Sequence, residues 1–462
     1  MNKEEYIKIL TDQIRCKMAR PEVARELEDH IEDQTRAFMS EGLDRIEAEK
    51  AAVKEMGNPV ETGVELDKIH RPKMPWGTIS LIIVLSILSC TFQYFLNREY
   101  IKAGGDGYGM GRHIMFTATG ILVMIGVCFA DYTRIAARAR ELMLGWILLL
   151  ILGKQFFGIT VNDAERWIAL PGGQAVNILL MLVLTVPLYA AILYGYRGKG
   201  WSVIWKGVLW MVPGCWLATR CSSIWMASVL FLTYLIMLGL AVYHGWYRLP
   251  GKAVFAGICT IAVLLPAATA ALIWFFGEDY QKSRLLFYLS PLIGAPGEPQ
   301  DMISYGMTYV REILGNSRLV GAVDAGVPDI SFVPELSDFL LVGVARYYGI
   351  LAAVLLLGLL LFLLLYLLRV SLRQRNQLGM LMGTGCAVVF LIEAAFYLLN
   401  NSGVMYLGNY CPFFSYGGSG TIVMFLLLGI MLSICRYQNT APERKTAGFL
   451  FGIRRPVERM KG

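Results

Sequence analysis

Asn400 to Gly420 reads NNSGVMYLGNYCPFFSYGGSG and lies between two long apolar runs near the C-terminus. It is too polar to lie in hydrocarbon and too apolar to be an ordinary surface loop. Tyr410, Pro412, Phe413, Phe414 and Tyr416 put aromatic rings and one fixed φ just ahead of Gly417 and Gly418, where backbone can turn sharply or approach a ligand closely. Irregular backbone at membrane depth survives only where protein buries it or it lines a wet cavity. The stretch is therefore expected to fold back into the protein and cap such a cavity.

Apolar runs of membrane-spanning length recur along most of the chain. Of the 462 residues 56% are hydrophobic, and runs near 76–96, 114–131, 142–160, 175–194, 202–220, 223–243, 253–276, 338–368, 377–400 and 419–435 each reach the length a bilayer requires. The expected fold is all-α, a polytopic membrane protein of about ten transmembrane helices. Nine cysteines include no C-x-x-C pair and mostly sit in apolar runs, and His30, His70, His113 and His244 lie far apart. Neither a disulfide framework nor a zinc site is indicated. The net charge of +7 comes from Lys and Arg dispersed among connections, which suits cytoplasmic loops rather than a nucleic-acid surface.

Residues 1–72 differ from the rest, being charged, mixed in sign and free of Trp. Ile7, Leu10, Ile14 and Met18 keep a helical rhythm; Val23, Leu27, Ile31 and Phe38 continue it after Pro21; Ala48, Ala51, Ala52 and Met56 predict a third helix ended by Gly57-Asn58-Pro59. No secretory segment precedes them, so a small cytoplasmic helical domain is expected, either a solvated folding or anchoring unit or a docking module for a cytoplasmic regulator. Residues 73–462 form the transmembrane domain. Lys and Arg gather after every second span, at Arg134, Arg138 and Arg140, at Arg197 and Lys199, at Arg248 and Lys252, and at Arg369, Arg373 and Arg375. The positive-inside rule then puts both termini in the cytoplasm, against the opposing signal of Arg98, Lys102 and Arg112. The outward segments include 161–173 and a loop at 277–337 whose length and apolar content predict function, with a short helix over Tyr309–Leu314.

Pro412 to Ser419, preceded by Asn400 or Asn401 and by Gly408, resembles the signature of the SEDS family, the FtsW, RodA and SpoVE proteins. Two further stretches strengthen the likeness. Asn162, Ala164, Arg166, Trp167, Ile168 and Gln174 match a family run that continues Pro-Ser-Glu, replaced here by Ala175, Val176 and Asn177; Tyr280-Gln281 with Arg284 is similar to the opening of the family's large loop. The resemblance covers roughly residues 76 to 436. It implies about ten spans in a bacterial cell membrane, glycan-strand polymerisation from lipid II, an undecaprenyl-diphosphate-linked disaccharide, and a penicillin-binding transpeptidase as partner. A lipid-linked precursor transporter and a non-catalytic scaffold of cell wall synthesis are the alternatives.

Val333 to Phe339 reads VPELSDF where the large loop meets a span. A carboxylate at the mouth of an apolar run is costly without a task or partner. Family glycosyltransferases carry a Pro-Glu-x-His-Thr-Asp-Phe run here, whose Asp is the catalytic candidate; Asp338 and Phe339 match it, one residue is missing and no His is present. Helix N-capping is the other role open to Asp338. Glu335 is the second carboxylate. Arg284 and Arg311 are the cations placed near a diphosphate, and Arg166 either grips a phosphate or pairs with Asp163 or Glu165. Lys154 is expected to pack its stem and extend its ammonium outward. Candidate substrate contacts thus comprise Arg166, Trp167, Gln174, Arg284, Arg311, Glu335, Asn400, Pro412, Ser415, Tyr416, Gly417, Gly418 and Ser419. A divalent cation is the alternative to arginine for offsetting the diphosphate charge. Past Asp338, Arg346-Tyr347-Tyr348-Gly349 stands where the family has an acidic pair before Gly, and Glu393 is expected to face the cavity or a partner such as Arg346.

Overall fold

The computed structural model describes residues 1–16, 19–102, 107, 109–161, 164–171, 174–293, 302–324, 336–406 and 410–438. Four helices come first: α1 (Lys3–Asp12), α2 (Arg20–Ser40), α3 (Arg45–Glu55) and α4 (Pro59–His70). Two differ from the expected pattern. α1 stops at Asp12, and Pro59 opens a fourth helix instead of closing the third, because Pro needs no N–H in a first turn and the Asn58 side chain caps the turn by accepting from Val60 N at 3.0 Å. Tyr6, Leu10, Ile14, Val23, Ile31, Ala52 and Val53 of these helices and the segment between the first two form a core of their own.

The apolar part continues with α5 (Trp76–Lys102), α6 (Met110–Phe129), α7 (Tyr132–Ala137) and α8 (Ala139–Phe157). Three strands follow, β1 (Gly158–Val161), β2 (Ala164–Leu170) and β3 (Gln174–Asn177), then α9 (Ile178–Leu182), α10 (Thr185–Tyr194), α11 (Ser202–Arg220), α12 (Ile224–Tyr243) and α13 (Gly251–Phe276). Two helices of the large loop, α14 (Asp279–Ile293) and α15 (Met302–Asn316), precede a 3-10 turn at Leu336–Phe339, α16 (Leu340–Tyr348), α17 (Ile350–Leu372), α18 (Gln377–Asn401) and α19 (Gly418–Arg436). The protein is an all-α polytopic membrane protein, and among the described residues seven helices, α5, α6, α12, α13, α17, α18 and α19, are long and apolar enough to cross a bilayer. Close approach of α6 and α19 depends on Gly120 and Gly429: a Cβ on Gly429 would lie 2.8 Å from Met124 O, and one on Gly120 would enter the Phe425 ring.

Several expected boundaries move for identifiable reasons. Residues 161–173 are not simply a loop: β1, β2 and β3 form an antiparallel sheet with Ile159 opposite Trp167 and Trp167 opposite Asn177. Sheet pairing satisfies backbone that would otherwise sit bare beside the spans, so the fourth apolar run enters as strand before turning helical. The run 338–368 is broken at Gly349, whose φ of +99° excludes a continuous helix. The helix expected over Tyr309–Leu314 is the longer α15.

Candidate active site

Strand and helix ends bring the signature loop together from the inside. Cys411 N donates to Ser415 Oγ at 2.9 Å and Ser415 N to Cys411 O at 3.1 Å, closing a tight turn over Pro412. Phe413 takes φ +68°, uncommon for a residue with a bulky side chain, and its carbonyl accepts from Ser89 Oγ and Gln93 Nε2. Gln93 Nε2 also reaches Phe414 O at 3.0 Å. These polar side chains of α5 give the loop its buried donors, as irregular backbone at this depth requires. Tyr410 bonds Thr421 Oγ1 at 3.1 Å, and its ring lies against Gly420, where a Cβ would come within 2.4 Å of it.

Ser415 and Pro412 are buried supports of the turn, whereas Tyr416, Gly417, Gly418 and Ser419 are half-buried along its rim. The Tyr416 ring stands 5.5 Å from that of His113. Ser419 Oγ accepts from Asn177 N at 3.3 Å, joining β3, and through it the strand carrying Arg166 and Trp167, to the start of α19. Within β2 neighbouring side chains point to opposite faces, so Glu165 and Arg166 part company. Glu165 pairs with Lys154 at 3.1 Å in place of Arg166, and Lys154 Nζ also donates to Arg220 O at 3.1 Å, so that ammonium is tied down rather than extended outward. Arg166 Nε is buried without a hydrogen-bond acceptor among the described residues. Trp167 is half-buried and Gln174 exposed.

On the other side of the loop, α18 ends beside the 3-10 turn that carries Asp338. Asp338 is only 8% exposed, and Tyr406 Oη approaches its Oδ2 at 3.5 Å. Helix N-capping by Asp338 gives way to a different arrangement. Leu340 N donates to Tyr397 Oη at 3.1 Å, and Leu341 N and Val342 N donate to Asn401 Oδ1 at 3.1 and 3.3 Å. Asn401 Nδ2 in turn donates to Asp338 O at 2.9 Å. Asn400 is wholly buried, and Asn401 bonds the Asp338 turn.

The loop helices cover this corner. Phe287, Tyr288, Met307, Val310 and Ile313 of α14 and α15 pack with Phe339 and Val342. Arg311 Nε donates to Gly403 O at 2.7 Å and its guanidinium lies 5.1 Å from the Phe287 ring centre, while Nη2 is buried without an acceptor among the described residues. Tyr288 Oη donates to Tyr406 O at 3.0 Å, fixing the segment whose hydroxyl faces Asp338. Arg284 belongs to α14. Glu335, Asn162, Asp163 and Gly408 lie outside the described residues.

Glu393 is buried two turns below Asn401 on the same face of α18, beside a cavity of about 30 Å³ shared with Tyr410, Pro412 and Gly420. Arg346 sets its guanidinium 5.6 Å from the Tyr347 ring centre. Burial, then the charges of Glu393 and Asp338, raise the Cys411 thiol well above its ordinary pKa. Both carboxylates therefore act on the same turn of the signature loop. Among the described residues no three His, Cys, Asp or Glu side chains gather as a cation site would need. Sequence reading passed over Gln93, Tyr397 and Tyr406. A glutamine inside an apolar run was a usable signal, since polar side chains in spans mark either helix contacts or function.

Residues 72–440 match the model of the FtsW, RodA and SpoVE family, described as "Cell cycle protein". Among individual relatives, the "Probable peptidoglycan glycosyltransferase FtsW" of Alcanivorax borkumensis is 27% identical over 371 residues, 76% of this chain and 90% of that protein. The protein of the same description from Synechocystis is 27% identical over 303 residues, 64% of this chain and 72% of its own. In fold, the chain is similar to one in the structure "Structural coordination of polymerization and crosslinking by a peptidoglycan synthase complex", with TM-score 0.62, 22% identity and coverage of 79% and 98%. It is also similar to the rod shape determining protein RodA of Thermus thermophilus, with TM-score 0.54, 19% identity and coverage of 79% and 97%. With its signature loop, its buried mouth carboxylate and a family match over most of its length, the chain belongs to the FtsW, RodA and SpoVE family.

Proposed function

We propose that this protein polymerises peptidoglycan glycan strands from lipid II. The observation that carries the reading is Asp338, buried in the turn ahead of α16, its carboxylate approached by Tyr406 Oη and its backbone carbonyl held by Asn401. In the reaction the acceptor sugar hydroxyl attacks the anomeric carbon of the donor. Its proton passes to Asp338, a new carbon–oxygen bond forms, and the bond to the diphosphate breaks with the electron pair leaving on the phosphate oxygen. Charge that grows there needs fixed cations, a task suited to Arg311 and Arg166, whose buried nitrogens have bonding capacity to spare among the described residues, and to Arg284.

Two apolar grooves are suited to the prenyl tail. One, of about 440 Å³, runs between α5 and α6 past Ile87, Phe95, Ile114 and Ile121; the other, of about 520 Å³, lies between α8 and the sheet past Trp146, Phe156, Ile168 and Val176. Both termini face the cytoplasm in this reading, the 1–72 domain is a cytoplasmic module, and the Asp338 mouth opens outward toward a penicillin-binding transpeptidase. The likeness to a chain of a peptidoglycan synthase complex supports that partner. The test is polymerisation of lipid II by the purified full-length protein. The parent is expected to make glycan strands and Asp338→Ala to lose at least about a hundredfold in rate, the usual worth of a general base. An Asp338→Ala variant at the parent rate overturns the assignment, and lipid translocation in vesicles without polymer favours a transporter.

A further inference from the structure

An aspartate just ahead of a helix ordinarily accepts from the N–H groups two and three residues on. For Asp338 these belong to Leu340 and Leu341, and both are bonded from a different element, by Tyr397 Oη and by Asn401 Oδ1. Asn401 is used at both ends. Its oxygen holds Leu341 N and Val342 N, and its nitrogen holds Asp338 O at 2.9 Å and Tyr397 O at 2.9 Å. The two residues sit four apart on α18, hence on one face, and are 0% and 4% exposed. A fixed amide and a fixed phenol thus occupy the donors that a flexible carboxylate would otherwise take.

We propose that Asn401, supported by Tyr397, is a positioning residue that caps α16 in place of Asp338 and so keeps the Asp338 carboxylate for proton transfer. The inference rests on the reading of Asp338 as the base. When Asn401 is replaced by an isosteric apolar side chain, the Leu341 and Val342 donors are left buried without it, and the nearest acceptor in sequence is Asp338 itself. The carboxylate turns back to cap its own helix and is lost to the substrate. The defect belongs to the chemical step, so it appears in kcat rather than KM.

Initial rates of lipid II polymerisation by the full-length protein in nanodiscs test this, using Asn401→Leu, Tyr397→Phe, Asp338→Asn and the two double variants with Asp338→Asn. Asn401→Leu is expected to lower kcat at least about tenfold with KM within about twofold, and Tyr397→Phe to lower kcat less in the same sense. Combined with Asp338→Asn, either change is expected to cost nothing more, because the group it acts through is already gone. An Asn401→Leu enzyme at the parent kcat overturns the proposal. So does a double variant slowed by the same factor as the single, which marks Asn401 as ordinary scaffold. Should Asn401→Leu fail to fold, Tyr397→Phe carries the same comparison. Asp338→Asn at the parent rate overturns the base assignment and this inference together, whereas a slow Asp338→Asn with multiplicative partners overturns the inference alone.

Discussion

Cys411 has two carboxylates for neighbours and no bulk water, which decides its chemistry. Burial and the charges of Glu393 and Asp338 all disfavour the thiolate, and the thiolate is the reactive form. A raised pKa leaves the thiol protonated through neutral and mildly alkaline pH. Treated with a maleimide at pH 8, the folded protein is expected to label Cys411 only after denaturation. Labelling of Cys411 in the folded protein as fast as in the denatured one would sink the picture of a sealed turn. Gln93 is the opposite kind of residue, important for what it donates. Its amide bonds the carbonyls of Phe413 and Phe414, and a leucine of similar volume leaves Phe414 O without that donor. Gln93→Leu is expected to destabilise the protein by about 1–3 kcal/mol, read as a lower thermal unfolding midpoint in detergent. An unchanged midpoint would mean that other donors hold the loop.

At the scale of elements the informative feature is the break between α16 and α17. An interrupted helix beside lipid needs outside partners for its freed backbone. Here the segment after α15 supplies them: Gly321 N donates to Tyr348 O, Val323 N to Arg346 O, Ile350 N to Arg318 O and Leu351 N to Leu319 O. Gly349 makes the approach possible, since at its φ of +99° a Cβ would lie 2.6 Å from Leu319 O and 2.7 Å from Val320 Cα. Gly349→Ala is expected to cost about 1–3 kcal/mol from backbone strain alone, with the clash added, and to expose the 318–323 segment to limited proteolysis. A variant as resistant as the parent would refute that role for Gly349. None of this was readable in the apolar run 338–368, because a run of spanning length says only that a helix is affordable, not that it is continuous. The mouth aspartate was legible for a local reason, a charge beside a greasy stretch. The capping by Asn401 was not, because the partner lies some sixty positions away in sequence and only packing brings it back. The sheet at 158–177 escaped for a similar cause: Glu165, Arg166 and Trp167 break the alternation that marks a half-buried strand.

The whole molecule contains two bodies of packing with separate logic. The spans bury apolar side chains against one another, whereas α1 to α4 close around Tyr6, Leu10, Ile14, Val23 and Ile31 with charged outer faces. The family match starts at residue 72, just past α4. Asp67 locks the small body internally, its Oδ1 accepting from Arg15 N at 2.8 Å, and the chain then joins the membrane part through Lys73 N donating to Arg436 O at 3.2 Å. A unit with its own core and its own caps is expected to fold alone, though with the marginal stability of so small a body. Residues 1–71 expressed alone are expected to give a helical far-UV spectrum with a cooperative thermal transition, and residues 72–462 to insert in membranes and polymerise lipid II within about threefold of the full-length rate, since among the described residues the removed part supplies no group to the Asp338 corner. If the fragment is unfolded, the four helices depend on the spans for their stability. If the truncated enzyme folds yet is silent, the helical prefix acts on catalysis, and α19 is the element to examine first, because Arg436 at its end meets Lys73 while Ser419 at its start holds the sheet beside the signature loop.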